Sequence, residues 1–391
     1  MTRHDDTRPA LSPDFIDHPD GPPIINAAYD GPTLTLVWDD GITGRFNRFY
    51  LRENDVGSAI NPVTRESDLD IDALPDDLAI TDAEIEGATV SVTWGPDGHR
   101  SRHHAGWLRF VATDQWHPRA ALPERRTWAG DDMAEPVTFP GPPVLTDDAA
   151  LRDWLSAVES FGLARLRDLP TDEGTVLRVA ERIGTIRNSN FGFSFFVESK
   201  PDPDSNAYTA AALSPHTDLG TRELQPGLQL LHCRENSSTG GESTMVDGFR
   251  VAEVLRDTDP KAFKILSTRN WMFSNRHRDT DYRWSGPIIV LGDDGELIEI
   301  RNTAFLRAEP DMPAAEIDAA YGAYRAYMRL ASQDNMTCRY PFAAGDLVMF
   351  DNRRILHGRA AFDPQSGTRR LEGCYLDRDE LHSRLRVLAR P

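Results

Sequence analysis

Apolar and polar residues alternate along Leu34-Thr35-Leu36-Val37-Trp38, and after Asp39-Asp40-Gly41 the chain resumes at Gly44-Arg45-Phe46. A period of two interrupted by an Asp-Gly turn predicts a β-hairpin, which ends in Phe49-Tyr50-Leu51-Arg52. A second copy runs from Thr89 to Trp94, turns at Asp97-Gly98 and returns from His99 to Trp107-Leu108-Arg109. Recurrence of Trp, Asp-Gly and Leu-Arg predicts a small all-β N-terminal domain over residues 24–113. A polar, Pro/Asp-rich stretch over residues 1–23 reads as a loose tail. Residues 114–143 are rich in Pro, Gly and Glu and read as a linker.

From residue 144 to 391 the pattern changes. Thr146-Asp147-Asp148 can cap a helix whose apolar face carries Leu151, Trp154, Leu155 and Val158. Thr171 to Ile183 and Pro313 to Ser332 carry further helical periods. Strand-like runs recur at Gly227 to Cys233, Ile288 to Leu291 and Gly345 to Phe350. Strands dominate and helices decorate, which predicts a mainly β catalytic domain built as a double-stranded β-helix, or jelly roll.

Composition narrows the possible partners. With 62 acidic against 43 basic residues the 391-residue chain carries a net charge of -19. Such a field repels nucleic acid and anionic lipid, so neither is expected as a partner. A hydrophobic content of 39% supports a sizeable core. The three cysteines, Cys233, Cys338 and Cys374, suit a reducing compartment better than a disulfide framework. No signal-peptide pattern or membrane-length apolar run appears, and a cytoplasmic location is expected.

The candidate chemistry lies in His216-Thr217-Asp218 and a distant His357. In an extended segment residues i and i+2 point the same way, so His216 and Asp218 can converge while Thr217 faces away. His-x-Asp alone is a weak pattern, but a second histidine from a later strand completes a facial triad. Two imidazoles and a carboxylate leave open positions that suit Fe(II) better than zinc. Ser243, in the turn Gly240-Gly241-Glu242-Ser243, and Arg369 follow. Arginine can clamp a carboxylate through two parallel hydrogen bonds, so these two residues are expected to hold 2-oxoglutarate.

These motifs, with Asn206-Ala207-Tyr208-Thr209, Val246-Asp247-Gly248-Phe249, His357-Gly358-Arg359 and Leu371-Glu372-Gly373 with Tyr375, resemble the γ-butyrobetaine dioxygenase branch of the TauD-like oxygenases. The resemblance implies a hydroxylase that holds Fe(II) on His216, Asp218 and His357, with 2-oxoglutarate and O2 as cosubstrates. It also implies a small trimethylammonium substrate and a homodimer. Ring faces are the natural partners of a quaternary ammonium, at about 0.5–2 kcal/mol per contact. Tyr208, Tyr375, Phe191 and Phe195 fall on the family's cage positions, and Ser205 and Asn206 on its tail-reading segment. Arg301 and Asn302 are read as further tail contacts, and an arginine there would suit a phosphonate as well as a carboxylate. The accessory domain of this family often holds zinc on cysteines. Residues 51–58 contain none and only His99 lies near, so no structural zinc is expected. His103-His104 reads as a solvated strand end, and His232 as a satisfied pocket-wall or core residue. The alternatives are a metal-binding jelly roll without turnover, acting as a sensor, or an oxygenase for another short betaine.

Overall fold

In the computed structural model, residues 10–199, 206–276 and 279–390 are described. Contacts divide the chain into two compact units, residues 1–121 and 122–391.

The first unit holds two three-stranded antiparallel sheets, each containing one of the hairpins read from the sequence. In Thr33–Trp38 the alternation is literal: Leu34, Leu36 and Trp38 are buried and the residues between them are half-buried. Thr89–Gly95 buries Val90, Val92 and Trp94 likewise. Each hairpin then passes directly into a short helix, Arg48–Glu53 or Ala105–Ala112. The stretches Phe49 to Arg52 and Trp107 to Arg109, read above as strand, are therefore helical. The repeated unit is strand, strand, helix, and the helix closes the core with Leu51, Trp107 and Leu108.

The reading of His103-His104 as a solvated strand end is corrected. His103 lies opposite Val90, on the inward face of its strand, and is buried. Its Nε2 meets Ser101 Oγ at 2.9 Å, and that hydroxyl accepts from Trp94 Nε1. His104 instead caps the following helix, its Nδ1 accepting from the backbone N–H of Gly106 and Trp107. Where a zinc site was considered, His99 Nε2 lies 2.8 Å from Asp55 Oδ2, with Arg52 and Ser58 alongside.

The second unit is a sandwich. Its larger sheet runs in the order Phe195–Val197, Arg369–Leu376, Leu228–Asn236, Leu347–Asp351, Leu163–Arg167, Thr138–Pro140, with Ile186–Arg187 also pairing the Arg369 strand. The smaller sheet runs Leu213–His216, Ile355–Arg359, Ser243–Asp247, Thr337–Tyr340. Their facing sides share one core, in which Leu163, Phe350 and Leu371 from one sheet meet Met245, Tyr340 and Ile355 from the other. Two sheets closed this way form the jelly roll, whose open end can hold a site. Trp128 and Met133, in the stretch read as linker, are buried in this core.

Helices cover both outer faces. Helix Asp148–Phe161 starts at Asp147, whose side chain accepts from Ala149 N–H, and buries Leu151, Trp154, Leu155 and Val158 as the spacing predicts. With Thr175–Ile183 and Arg378–Leu388 it packs on the larger sheet. Helices Gly248–Thr258, Pro260–Thr268 and Ala314–Ala331 cover the smaller one.

His232 is buried on the strand Leu228–Asn236, and neither ring nitrogen has a hydrogen-bond partner in the protein. It is a core residue, but not a satisfied one. Burial pushes both His103 and His232 down to about 4. Each imidazole is thus neutral in the fold and takes up a proton on unfolding at pH values between about 4 and 6.5. Their stability contribution is fully present above pH 6.5 and lost as pH falls toward 4. The slope is at most about 1.4 kcal/mol per pH unit for each group. Thermal melts stepped from pH 7.5 to 4.5 should show both units weakening below pH 6.5. A melting temperature flat across that range would contradict this.

Candidate active site

The three predicted ligands meet. Strand Leu213–His216 pairs antiparallel with Ile355–Arg359, and the register sets His216 opposite His357. Such close pairing requires a glycine next to His357, because a Cβ on Gly358 would lie 2.5 Å from the Leu213 carbonyl oxygen. The two rings lie 4.2 Å apart between centroids. Asp218 Oδ1 lies 3.4 Å from His216 Nε2 and 3.5 Å from His357 Nε2, and one donor atom from each residue falls within 4.8 Å of the others. His216 Nδ1 lies 2.9 Å from the Ser214 carbonyl oxygen. A proton on Nδ1 satisfies that carbonyl and leaves the Nε2 lone pair facing the site.

Burial raises the Asp218 carboxyl, but His357 and His216 beside it hold it well below the usual carboxylate range. Burial and the neighbouring His216 lower the His357 imidazole. Anionic carboxylate and neutral imidazole are the forms that bind a metal.

The backbone of His216-Thr217-Asp218 is clamped on both sides. Asn352 Oδ1 accepts from Asp218 N–H at 2.7 Å, and Asn352 Nδ2 donates to the Asp218 carbonyl at 3.1 Å. Thr217 exchanges hydrogen bonds with the Asn302 backbone, and the Thr303 hydroxyl donates to the Thr217 carbonyl. Past the clamp, Leu219 takes a φ of 53°, a costly conformation for a leucine that turns the chain away at the ligand.

A cavity of about 930 Å³ opens over the triad. That is large enough for two small ligands together. Ser243, Arg369, Tyr208, Tyr375, Phe191, Phe195 and Asn206 all line it. Arg369 is buried, and its Nε has no hydrogen-bond partner in the protein. Burial lowers its guanidinium. Gly241, at φ 76°, lies beside it, in a backbone conformation that favours glycine. A buried guanidinium on the wall of a largely apolar cavity calls for an anion. Phe191, Phe195 and Tyr375 form a continuous aromatic wall, with centroids 5.9 Å and 4.9 Å apart along the chain of contacts.

Two predicted contacts are corrected. Arg301 is buried away from the cavity, where it stacks on Trp284 at 3.6 Å and donates to Glu299 and the carbonyls of Gly220, Arg222 and Glu223. Its donors are spent on pinning the loop after Asp218. Asn302 is buried too, its Nδ2 donating to the Pro215 carbonyl and its Oδ1 accepting from the Tyr324 hydroxyl. It braces the strand that carries His216 and does not line the cavity. Ser205 lies outside the described residues.

The sequence reading missed three features. Nothing in Asp351-Asn352-Arg353-Arg354 marks Asn352 as the clamp on Asp218. The hairpin of Trp271–Arg276 and Asp281–Gly286 carries Ser274, Asn275 and Arg276 to the cavity wall. The Tyr375 hydroxyl also donates to Asp218 Oδ2 at 2.8 Å. Alternation along the strand Arg369–Leu376 offered a clue, since Arg369, Leu371 and Tyr375 share one face and all line the cavity.

Residues 125–375 match the taurine catabolism dioxygenase TauD, TfdA family. A γ-butyrobetaine dioxygenase from Pseudomonas sp. (strain AK-1) is 43% identical over 373 residues, covering 94% of this chain and 97% of that protein. The human γ-butyrobetaine dioxygenase is 32% identical over 376 residues, covering 92% and 96%. A trimethyllysine dioxygenase from Meyerozyma guilliermondii is 26% identical over 385 residues, covering 93% and 96%. Among solved structures, AAD-2 in complex with Mn(II) and N-oxalylglycine aligns with a TM-score of 0.50 at 16% identity, covering 61% of this chain and 93% of that one. That likeness speaks for the fold alone.

Proposed function

The chain belongs to the taurine catabolism dioxygenase TauD, TfdA family, in its γ-butyrobetaine dioxygenase-like branch, and from that membership we propose that it is an Fe(II)- and 2-oxoglutarate-dependent hydroxylase of a small trimethylammonium zwitterion. The carrying observation is the convergence of His216 Nε2, His357 Nε2 and Asp218 Oδ1 at the base of a cavity that also exposes Arg369 and Ser243. Two neutral nitrogens and one carboxylate oxygen fit a divalent iron and leave part of its coordination sphere to small ligands. When bound, that iron would let O2 oxidise both substrates at once, one oxygen atom going into succinate as 2-oxoglutarate loses CO2 and the other into the C–H bond as a hydroxyl.

The protein's own residues do the rest. Arg369 and Ser243 hold the distal carboxylate of 2-oxoglutarate and so fix its orientation over the triad. The aromatic wall of Phe191, Phe195 and Tyr375, with Tyr208, takes the trimethylammonium head, which can donate no hydrogen bond. Met245, Leu231 and Leu371 line the same cavity and keep water from the C–H bond to be attacked.

For the anionic tail, the cavity-lining cations among the described residues are Arg276, Arg359 and Arg369. Arg359 donates to the carbonyls of Thr209 and Ala211, and Arg369 is committed to 2-oxoglutarate. We therefore assign the tail to Arg276, with Asn206 and Asn275 as neutral donors beside it. An arginine at the tail suits a phosphonate as well as a carboxylate, so that alternative passes from Arg301 to Arg276. A γ-butyrobetaine-like carboxylate is the preferred substrate, as the relatives' names suggest. Arg276→Ala should raise KM for γ-butyrobetaine about tenfold, from loss of one charge-assisted contact worth roughly 1.5 kcal/mol. The KM for 2-oxoglutarate should stay put. An unchanged KM for the betaine would remove Arg276 from the tail site.

The function itself is tested by succinate release from 2-oxoglutarate with Fe(II) and γ-butyrobetaine. Turnover that depends on the betaine, with a hydroxylated product by mass spectrometry, is expected. Absence of coupled turnover with every trimethylammonium carboxylate and phosphonate tried would overturn it and leave the sensor reading.

A further inference from the structure

We propose that Tyr375 is a positioning residue for the metal centre, its phenol fixing Asp218 so that one carboxylate oxygen faces the two imidazoles while its ring serves the aromatic wall. This rests on the iron reading above.

The argument starts from how many ways Asp218 could still move. Asn352 bonds both its N–H and its carbonyl, so the backbone is fixed at this residue. What remains are two side-chain torsions, and a free carboxylate would swing through them. The two oxygens are not equivalent. Oδ1 faces the Nε2 atoms of His216 and His357, whereas Oδ2 accepts from the Tyr375 hydroxyl at 2.8 Å. One hydrogen bond to Oδ2 selects the rotamer that presents Oδ1. Outer partners of this kind orient a metal ligand, and their loss typically weakens metal affinity.

The same side chain faces a second way. The Tyr375 ring lies 4.9 Å from Phe195, which lies 5.9 Å from Phe191. Tyr375 therefore joins the surface proposed for the ammonium head directly to a metal ligand. The ring and the hydroxyl can be separated chemically, because phenylalanine keeps the first and deletes the second.

The experiment titrates Mn(II) alone, without 2-oxoglutarate or betaine, into wild type, Tyr375→Phe, Tyr375→Leu and Phe195→Ala, following loss of the free ion's electron paramagnetic resonance signal. Tyr375→Phe and Tyr375→Leu should bind about 10–100-fold more weakly than wild type. Phe195→Ala should bind like wild type. A residue that serves only the aromatic wall would leave Mn(II) affinity untouched in all three variants, and that result overturns the proposal. If a thermal melt shows Tyr375→Leu unfolded, Tyr375→Phe decides alone, since it changes one atom at an intact ring. Wild type that takes up no Mn(II) would instead sink the metal reading on which the proposal stands.

Discussion

Asp218→Ala is expected to abolish detectable Fe(II) binding and to lower turnover by more than about 10³-fold, since a bound Lewis-acid metal supplies several kcal/mol and 1.36 kcal/mol is a factor of ten. Asp218 is the single anion of the triad, and it sits between two imidazoles at 3.4 and 3.5 Å. Its loss leaves two neutral nitrogens and nothing to offset the charge of a divalent ion. It also strips the Tyr375 hydroxyl of its acceptor in a buried place. Asp218→Glu should not rescue, because Asn352 anchors the backbone at this position and the longer stem carries the carboxylate past the point between the rings. Metal titration and succinate release, measured on the same preparations, check both parts. An alanine variant that keeps turnover within tenfold of wild type would mean that the chemistry does not use this triad.

Arg369→Ala should raise KM for 2-oxoglutarate by about 10²-fold, the worth of two charge-assisted hydrogen bonds after partial replacement by water. The KM for the betaine should change little. Arg369 is buried, lines the cavity and has its Nε unpartnered in the protein, which is the basis for expecting it to hold a ligand. Arg369→Lys should recover part of the affinity, because an ammonium keeps the charge but loses the planar fork. Initial rates against 2-oxoglutarate concentration give the answer. An unchanged KM in Arg369→Ala would place the distal carboxylate elsewhere.

The triad can be read from the sequence because a spacing of two at the end of a strand fixes one side, His216 closing the strand and Asp218 following it, and a single later histidine supplies the other. The helix after Asp147 was legible for the same reason, through its cap and apolar spacing. Arg301 is poorly legible because only one of its partners, Glu299, is local; the rest come from Trp284 on one hairpin and the carbonyls of Gly220, Arg222 and Glu223 on a loop. No pattern around residue 301 announces those partners. Asn352 was invisible on the same grounds. His103 is different, because strand alternation opposite Val90 and Val92 already turns Ser101 and His103 inward. The signal was present there, and the polar character of the residue outweighed it. The helices after each N-terminal hairpin were missed because Tyr, Leu, Trp and Phe suit strands as well as helices in so short a run.

The pairing of His216 with His357 has a consequence beyond chemistry. An ion held there works as a clasp, fastening the two ends of a long intervening stretch that includes three helices. Because the clasp exists only when that stretch has closed, iron supply and resistance to unfolding are thermodynamically linked in the second unit. Under iron starvation the enzyme would not merely idle. Its seam would open more often, and proteases would find it sooner than the replete form.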